Sequence, residues 1–450
     1  MEPISQSLID ESLAAFEAKP QYTVAMNSLQ SSDPNTVHLN REHAAAHHSH
    51  HYSVMVTNQF KATSQKASGR CWIFAMCNCI RAKLLEKYKL PDTFELSQTF
   101  VFFYDKLERV NYFLEHIIET RSEELDGRLV QHLLTCPLND GGQWDMLVNV
   151  VEKYGLCPKS SFPDAWSATA SRKMNSFLTG KLREWACAIR TCPSEDIQQM
   201  RALKSKYLVE AHRVLMIHLG KPPAKFDWTF HEKGDAKTFH RYNNLTPISF
   251  RDVHCDGYDV TSRVSLINDP RNSYYKAYTV HALGNVVGGK NVYYVNVPVD
   301  VLKKYTREML KDNETVWFGC DVGKEFNRST QIMDVKQFNY ELAFGTRPTQ
   351  TKEERLRYGQ SLMTHAMAFT GLDEVEGEEF PAKWRVENSW GKDTGDDGYA
   401  MMTNEWFNEY MFQIVVDKKR LLSDEKIKAV LESDAEPVIL PAWDPMGALA

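Results

Sequence analysis

Cys71 stands in the run Gln65-Lys66-Ala67-Ser68-Gly69-Arg70-Cys71-Trp72-Ile73-Phe74. Behind it, apolar residues recur at Trp72, Ile73, Met76, Ile80, Leu84 and Tyr88, a helical spacing. Ser68-Gly69 reads as the turn and cap before that helix. A helix N-terminus carries roughly half a positive charge. That field favours thiolate over thiol, and the thiolate is the nucleophile. A cysteine on a helix is ordinarily a small packing residue, but its neighbours change the reading. Gln65 carries an amide that can donate to an oxyanion alongside the Cys71 N–H. Far downstream, Ser361–Met367 and Arg385–Gly391 supply His365 and Asn388, giving the order Cys, His, Asn. An imidazole can form the ion pair and protonate a leaving amine. An Asn carbonyl accepting its Nδ1–H would hold one tautomer. Trp390, two residues on, is placed to cover that contact and exclude water. Singly these are weak signals: a His in an apolar run is usually structural, and Asn-Ser-Trp-Gly makes an ordinary turn. Together, in this order, they describe a thiol acyl-transfer site.

The elements that must position these groups fall into five stretches. Residues 1–60 hold an apolar-periodic Ser7–Phe16 segment and then a polar, His-rich run, an N-terminal extension. Residues 61–165 read as helices, with Ser97-Gln98 opening an aromatic one and Met146, Leu147, Val150, Val151 and Tyr154 at helical spacing. Residues 166–290 are charged and mainly helical, with the fewest motifs. Residues 291–436 turn β-rich at Val292–Val297, Val316–Val322, Lys383–Asn388 and Met411–Val416. Residues 437–450 form a tail whose only charged side chain is Asp444. Its prolines favour an extended chain, and Val438, Ile439, Leu440, Trp443 and Met446 favour burial, so it should dock.

Cys71-Trp72, Gln65, His365 and Asn388-Ser389-Trp390-Gly391 resemble the papain superfamily of cysteine peptidases. Asp126–Gln131, Asn139–Met146, Trp317–Lys324 and Leu440–Ala450 extend the resemblance to the bleomycin hydrolase branch and its bacterial aminopeptidase relatives. Two departures from secreted papain-like chains are visible. Ser68 stands where those carry the first Cys of C-G-[SA]-C-[WY], so the matching disulfide cannot form. His365 and Asn388 follow Cys71 by 294 and 317 residues, against about 130–150 in that type. The excess marks inserted material.

The resemblance implies an α+β fold: a papain-like core with a helical half (61–165) and an antiparallel β half (291–436), enlarged by mainly helical inserts, chiefly 166–290. It implies catalysis by Cys71, His365, Asn388 and Gln65. It favours Gly141-Gly142 as a substrate-binding wall, where the residues alone suggest a helix-start turn after Asn139-Asp140. It also implies that the tail lies in the active-site cleft, with the Ala450 carboxylate pairing with a substrate ammonium and Trp390 beside the substrate. The activity implied is aminopeptidase action on short peptides and bleomycin-type amides with free amino ends, with homocysteine thiolactone as a further substrate. A homohexameric ring, contacting through the long insert, is implied too.

Composition bounds the rest. The chain has 450 residues, 43% hydrophobic and 25% charged, with net charge −6. Its pI near 6.2 gives no basic domain for nucleic acid. Mean hydropathy is −0.45 and no run of 18 apolar residues occurs, so no membrane helix is expected. The first residues are acidic, with no Lys or Arg before Lys19, which fits neither a secretory nor a basic transit segment. Nine cysteines, an odd number, point to reduced thiols and a cytoplasmic site of action. Cys77/Cys79 and Cys187/Cys192 lack a second cluster at zinc spacing. His43 and His47 share a helix face at i, i+4, but no acidic or Cys residue sits nearby at ligand spacing. No metal and no cofactor is therefore expected.

Two other function classes deserve comparison. Gly284-Asn285-Val286-Val287-Gly288-Gly289-Lys290-Asn291 nearly spells a phosphate-binding loop. It has Asn291 in place of the Mg²⁺-binding hydroxyl, and a strand-like run follows where a helix should. A catalytically dead binding protein of papain-like shape is disfavoured by the intact Cys71, His365 and Asn388.

Overall fold

The helix Cys71–Tyr88 forms the axis of the structure, and its sequence explains why. Residues 71–82, Leu84 and Leu85 are all buried, so it is enclosed on every side rather than along one stripe. The two polar side chains this traps are hydrogen-bonded, although Arg81 Nε has no partner. Asn78 Nδ2 donates to Glu387 Oε2 at 2.8 Å, and Arg81 Nη1 donates to the Lys61 carbonyl at 3.1 Å. The helix stops where Lys89 turns left-handed. The computed structural model describes residues 1–57, 60–193 and 196–448.

Helices Gln98–Glu119 and Trp144–Tyr154 pack around this axis. The first is capped by the Ser97 hydroxyl, which accepts from Phe100 N at 3.1 Å. Helices Arg172–Arg190 and Ile197–Leu219 lie against the outer side of Gln98–Glu119. Their Leu178, Leu182, Trp185, Ala211 and Leu215 extend the same apolar core.

The strands, in chain order, are β1 Val54–Met55, β2 Phe226–Glu232, β3 Asp235–Leu245, β4 Arg263–Ile267, β5 Lys276–Val280, β6 Tyr294–Asn296 and β7 Val316–Cys320. They continue with β8 Phe326–Asn327, β9 Ile332–Met333, β10 His365–Asp373, β11 Lys383–Glu387, β12 Tyr399–Thr403, β13 Met411–Asp417 and β14 Val438–Leu440. β2 and β3 form a separate hairpin. The others form one sheet, ordered β14-β5-β6-β4-β13-β7-β10-β11-β12-β9-β8, with β1 beside β10. Residues 166–290, read as mainly helical, thus also contain this hairpin and send β4 and β5 into the main sheet.

The sheet sets the positions of the polar groups. β7, β10 and β11 are antiparallel neighbours, with His365 opposite Cys320 and Ala368 opposite Glu387. His365 is the first residue of β10, and Asn388 follows the last residue of β11. The start of one strand and the end of its antiparallel neighbour share one sheet edge. The Cys71 helix packs on β10, and Trp317 Nε1 of β7 donates to the Trp72 carbonyl at 3.1 Å.

Candidate active site

The turn before Cys71 differs from the cap the sequence suggests. Arg70 is the residue at the helix N-cap, and no side chain closes that end. Ser68 closes its own turn instead, donating to the Gln65 carbonyl at 2.7 Å. Its hydroxyl also accepts from Arg70 Nε at 2.9 Å. Asp140 locks this turn from across the groove. Its carboxylate accepts from Gly69 N (3.2 Å), Lys106 Nζ (2.6 Å), Ser171 Oγ (2.5 Å) and Asn175 Nδ2 (2.6 Å). Its carbonyl accepts from Trp72 Nε1 at 2.7 Å. Burial alone would raise the Asp140 carboxyl, but the Lys106 ammonium and these donors hold it well below the usual range.

His365 and Asn388 meet at the shared sheet edge. His365 Nε2 donates to Asn388 Oδ1 at 3.0 Å. This corrects the atom expected from sequence, Nδ1: at the start of β10 the ring turns Nε2 to Asn388, so Nδ1 is the nitrogen left over. Asn388 Nδ2 donates to Gln331 Oε1 (2.8 Å), and Gln331 Nε2 donates to the Arg328 carbonyl (2.9 Å). Three groups in series thus fix which face of the Asn388 amide meets the imidazole. Trp390 lies over His365, with ring centroids 5.1 Å apart, and the Arg328 guanidinium sits 4.7 Å from the Trp390 ring.

Cys71 meets the same end of β10, where the Ala366 main-chain N–H faces its sulfur. Both Cys71 and His365 are buried, at 2% and 4% exposure. Burial pushes the Cys71 thiol up to about 11, against the pull of the Ala366, Trp72 and Cys71 N–H groups. For the thiol alone, burial thus outweighs the lowering expected from the helix terminus. Burial likewise lowers His365 to about 4, with the Asn388 bond opposing and Arg328 adding to the fall. Each charge is costly alone in this dry setting; an opposite charge on the other group is what can offset it.

Gln65 is buried, and the loop that carries it pairs with the loop after Asn388. Gln65 N donates to the Ser389 carbonyl at 2.8 Å, Gly391 N to Thr63 at 2.9 Å, and Ser64 bridges Trp390. Ser389 Oγ donates to Gln65 Oε1 at 2.6 Å, which fixes the amide; its Nε2 donates to the Ser68 carbonyl and keeps a second N–H. A buried thiol, an imidazole with an oriented partner and an amide donor can together carry out nucleophilic acyl transfer.

Gly141 and Gly142 line the loop held by Asp140. Gly141 N donates to Asn139 Oδ1 at 2.9 Å, and a Cβ on Gly142 would lie 2.5 Å from the Trp72 ring. The next residue, Gln143, reaches the tail: its Nε2 donates to the Ala448 carbonyl at 2.6 Å. The described part of the tail docks, burying Leu440 and Met446, but Val438, Ile439 and Trp443, expected to be buried, stay exposed. β14 runs parallel to β5, Arg271 pairs with Asp444 at 2.8 Å, and Tyr294 donates to the Met446 carbonyl at 3.1 Å. A cavity of about 320 Å³, lined in part by Arg109, His132, Asn139, Gly447 and Ala448, lies beside its end. Ala450 lies outside the described residues.

The near-P-loop is not arranged for phosphate. Gly289 packs on Asn149, whose amide binds Lys290 N at 2.7 Å and the Lys290 carbonyl at 2.9 Å. β6 follows, not a helix. Among the described residues no helix is long and apolar enough to cross a membrane. Sequence reading missed Gln331 and Asp140. The one local signal for Gln331 is its left-handed backbone, φ 56°, which only the fold reveals. The Asn139-Asp140 turn itself is legible, and its Asx bond is made by Asn139; the hold of Asp140 on Gly69 and Lys106 has no local signal.

Known proteins carry the same plan. The sequence model of the Peptidase C1-like family matches residues 3–447. A bleomycin hydrolase of Gallus gallus is 44% identical over 99% of this chain and 99% of its own length. An aminopeptidase C of Listeria monocytogenes is 44% identical over 87% of this chain and 86% of its own. The crystal structure of PepW from Lactobacillus rhamnosis superposes with a TM-score of 0.95 at 38% identity, covering 100% of this chain and 99% of that one. The α+β papain-like fold expected from the resemblance is borne out by these matches.

Proposed function

This chain belongs to the Peptidase C1-like family, and on that premise we propose that it is a cysteine aminopeptidase of the bleomycin hydrolase and aminopeptidase C kind, working through Cys71, His365 and Asn388. The observation that carries this is the His365 Nε2–Asn388 Oδ1 bond of 3.0 Å at the sheet edge where the Cys71 helix begins. It leaves Nδ1 as the ring nitrogen for the thiol.

In this reading the Cys71 thiolate attacks the amide carbonyl, and His365 Nδ1 holds the thiol proton. The developing oxyanion takes hydrogen bonds from the free Gln65 Nε2–H and the Cys71 N–H. His365 then gives its proton to the leaving amine, and water releases the acyl group from Cys71 by the reverse sequence. Asn388 keeps the imidazole in plane, and Trp390 shields that bond from water.

The tail supplies selectivity for free amino ends. Gln143 holds Ala448, and the small residues Gly447 and Ala448 border the cavity beside the Gly141-Gly142 loop. The Ala450 carboxylate, two residues on, would meet the substrate ammonium and block longer chains. Substrates are short peptides, bleomycin-type amides and, by the same acyl transfer, homocysteine thiolactone. All nine cysteines are free thiols, which suits a reducing cytoplasm. The stretches 1–60, 61–165, 166–290, 291–436 and 437–450 serve as extension, helical half, insert, β half and arm, and six copies assemble into a ring.

A steady-state survey of fluorogenic aminoacyl amides, free and N-acetylated, tests the reading. Turnover confined to free amines and lost in Cys71→Ala is expected. Equal turnover of acetylated substrates would exclude an aminopeptidase, and activity in Cys71→Ala would exclude the nucleophile.

A further inference from the structure

The N-terminal extension meets the β half through an unusual group of side chains. His43 lies in the first turn of the helix Arg41–His47, and His48 is its C-cap. Both aim Nε2 at the same oxygen, Asp334 Oδ2, at 2.7 Å and 3.0 Å. Asp334 comes from 286 residues further along than His48, just after β9. Among the described residues this is the one group of three His, Cys, Asp or Glu whose ligand atoms lie within 4.8 Å of one another.

Its surroundings are built to hold it. The second Asp334 oxygen accepts from Lys336 N at 2.9 Å, which leaves Oδ2 as the oxygen offered. The Lys336 ammonium is taken by Glu405 at 2.7 Å and does not compete. The two backbones are tied beside the group. Asn40 N donates to the Gln337 carbonyl and Asn339 N to the His38 carbonyl, each at 2.8 Å, around a bridge between Leu39 and Phe338. Asn40 Oδ1 caps His43 N at 3.1 Å, which sets the helix start. The Asp334 side chain is 2% exposed, while His43 and His48 keep 17% and 11%, so solvent reaches the imidazoles.

We propose that His43, His48 and Asp334 bind a divalent transition-metal ion of the Zn²⁺ class, clamping the N-terminal extension to the β half. Two imidazoles and one carboxylate oxygen suit Zn²⁺, Co²⁺ or Ni²⁺ and not Mg²⁺ or Ca²⁺, which want oxygen alone. Bond lengths of about 2.0–2.2 Å put tetrahedral ligands about 3.3 Å apart. The two His–Asp334 separations, 2.7 and 3.0 Å, open to that within reach of two partly exposed imidazoles, whose nitrogens lie within 4.8 Å of each other. With three protein ligands, a water would complete the fourth position. The ion would also stiffen β9, which begins next to Gln331 and hence next to the support of Asn388.

Cobalt is the probe, because its visible bands report ligand type. The full chain, with accessible thiols capped by iodoacetamide, is titrated with Co²⁺ and then back-titrated with Zn²⁺. One equivalent should give visible d–d bands without the near-ultraviolet thiolate charge-transfer band, and Zn²⁺ should abolish them. His43→Ala and His48→Ala should each weaken binding by more than about 100-fold, beyond what outer-shell changes cost. Circular dichroism confirms that these variants fold, and His43→Gln replaces any that does not. No d–d band in the wild type, a thiolate band, or undiminished affinity in folded variants would overturn the site. Two imidazoles simply hydrogen-bonded to a carboxylate would give the first of these results.

Discussion

In the proposed mechanism His365 sets the chemistry at the scale of single residues, because burial leaves both it and Cys71 favouring their neutral forms. An ion pair therefore depends on each supplying the charge the other needs. His365→Ala should move the pH midpoint of Cys71 alkylation upward, toward the value near 11 that burial imposes. The sign follows from losing the cation that would stabilise the thiolate, and alkylation rates between pH 5 and 11 would read it. An unchanged midpoint would mean that His365 does not pair with Cys71. Gln65→Ala should lower kcat by about 10²–10³ with KM little changed, as for one oxyanion donor. Asn388→Ala should cost less than His365→Ala, since it loosens the ring without removing it.

Among the elements, the Asn139–Gln143 loop and the edge of β10, β11 and β9 position the site. Asp140 holds the turn before Cys71 while compensating the buried Lys106. Asp140→Asn should destabilise the protein by about 3–5 kcal/mol, the usual cost of stranding a buried charge. In the wild type the Asp140 carboxyl is depressed by folding, so its contribution is fully present above about pH 4. It is lost as pH falls below that, which urea midpoints measured from pH 7 to pH 3 should show. Gln331→Gly keeps the left-handed backbone but removes the amide that orients Asn388. A kcat loss of about fivefold, near the ~1 kcal/mol of one hydrogen bond, is expected at constant KM.

These same elements show how far the chain could be read. β6, β7, β11 and β13 were legible because their β-branched and aromatic runs are short and bounded. The helices at Cys71, Ser97 and Trp144 were legible from their apolar period. β4 and β5 were not, because they lie in a charged stretch; β5 enters the sheet beside β6, and β4 links that group to β13, a partner distant in sequence. Cys71, His365 and Asn388 stand out because residue types, order and flanking motifs reinforce one another. Gln331, Asp140 and Asp334 do not, since each acts through a partner that only tertiary structure brings near.

At the scale of the whole molecule, the proposal gives the tail and a six-membered ring the part of deciding what reaches the site. The tail is tied to β5, Arg271, Tyr294 and Gln143 up to Ala448. Deleting residues 447–450 should therefore leave the fold intact, weaken cleavage of free-amine amides and admit N-acetylated ones. Unchanged selectivity would remove the tail from the specificity account without touching Cys71. Light scattering should find six copies of the 51.8 kDa chain; a monomer mass at micromolar concentration would contradict the ring.

The account turns on Cys71 as the nucleophile, and the most direct measurement follows alkylation and activity together. The protein is treated with limiting iodoacetamide at neutral pH, and each of its nine cysteines is quantified by peptide mass spectrometry as aminopeptidase activity decays. The account predicts that Cys71, although buried, is alkylated first and that activity falls in step with its modification alone. Activity that survives complete alkylation of Cys71, or vanishes while Cys71 remains unmodified, would contradict it.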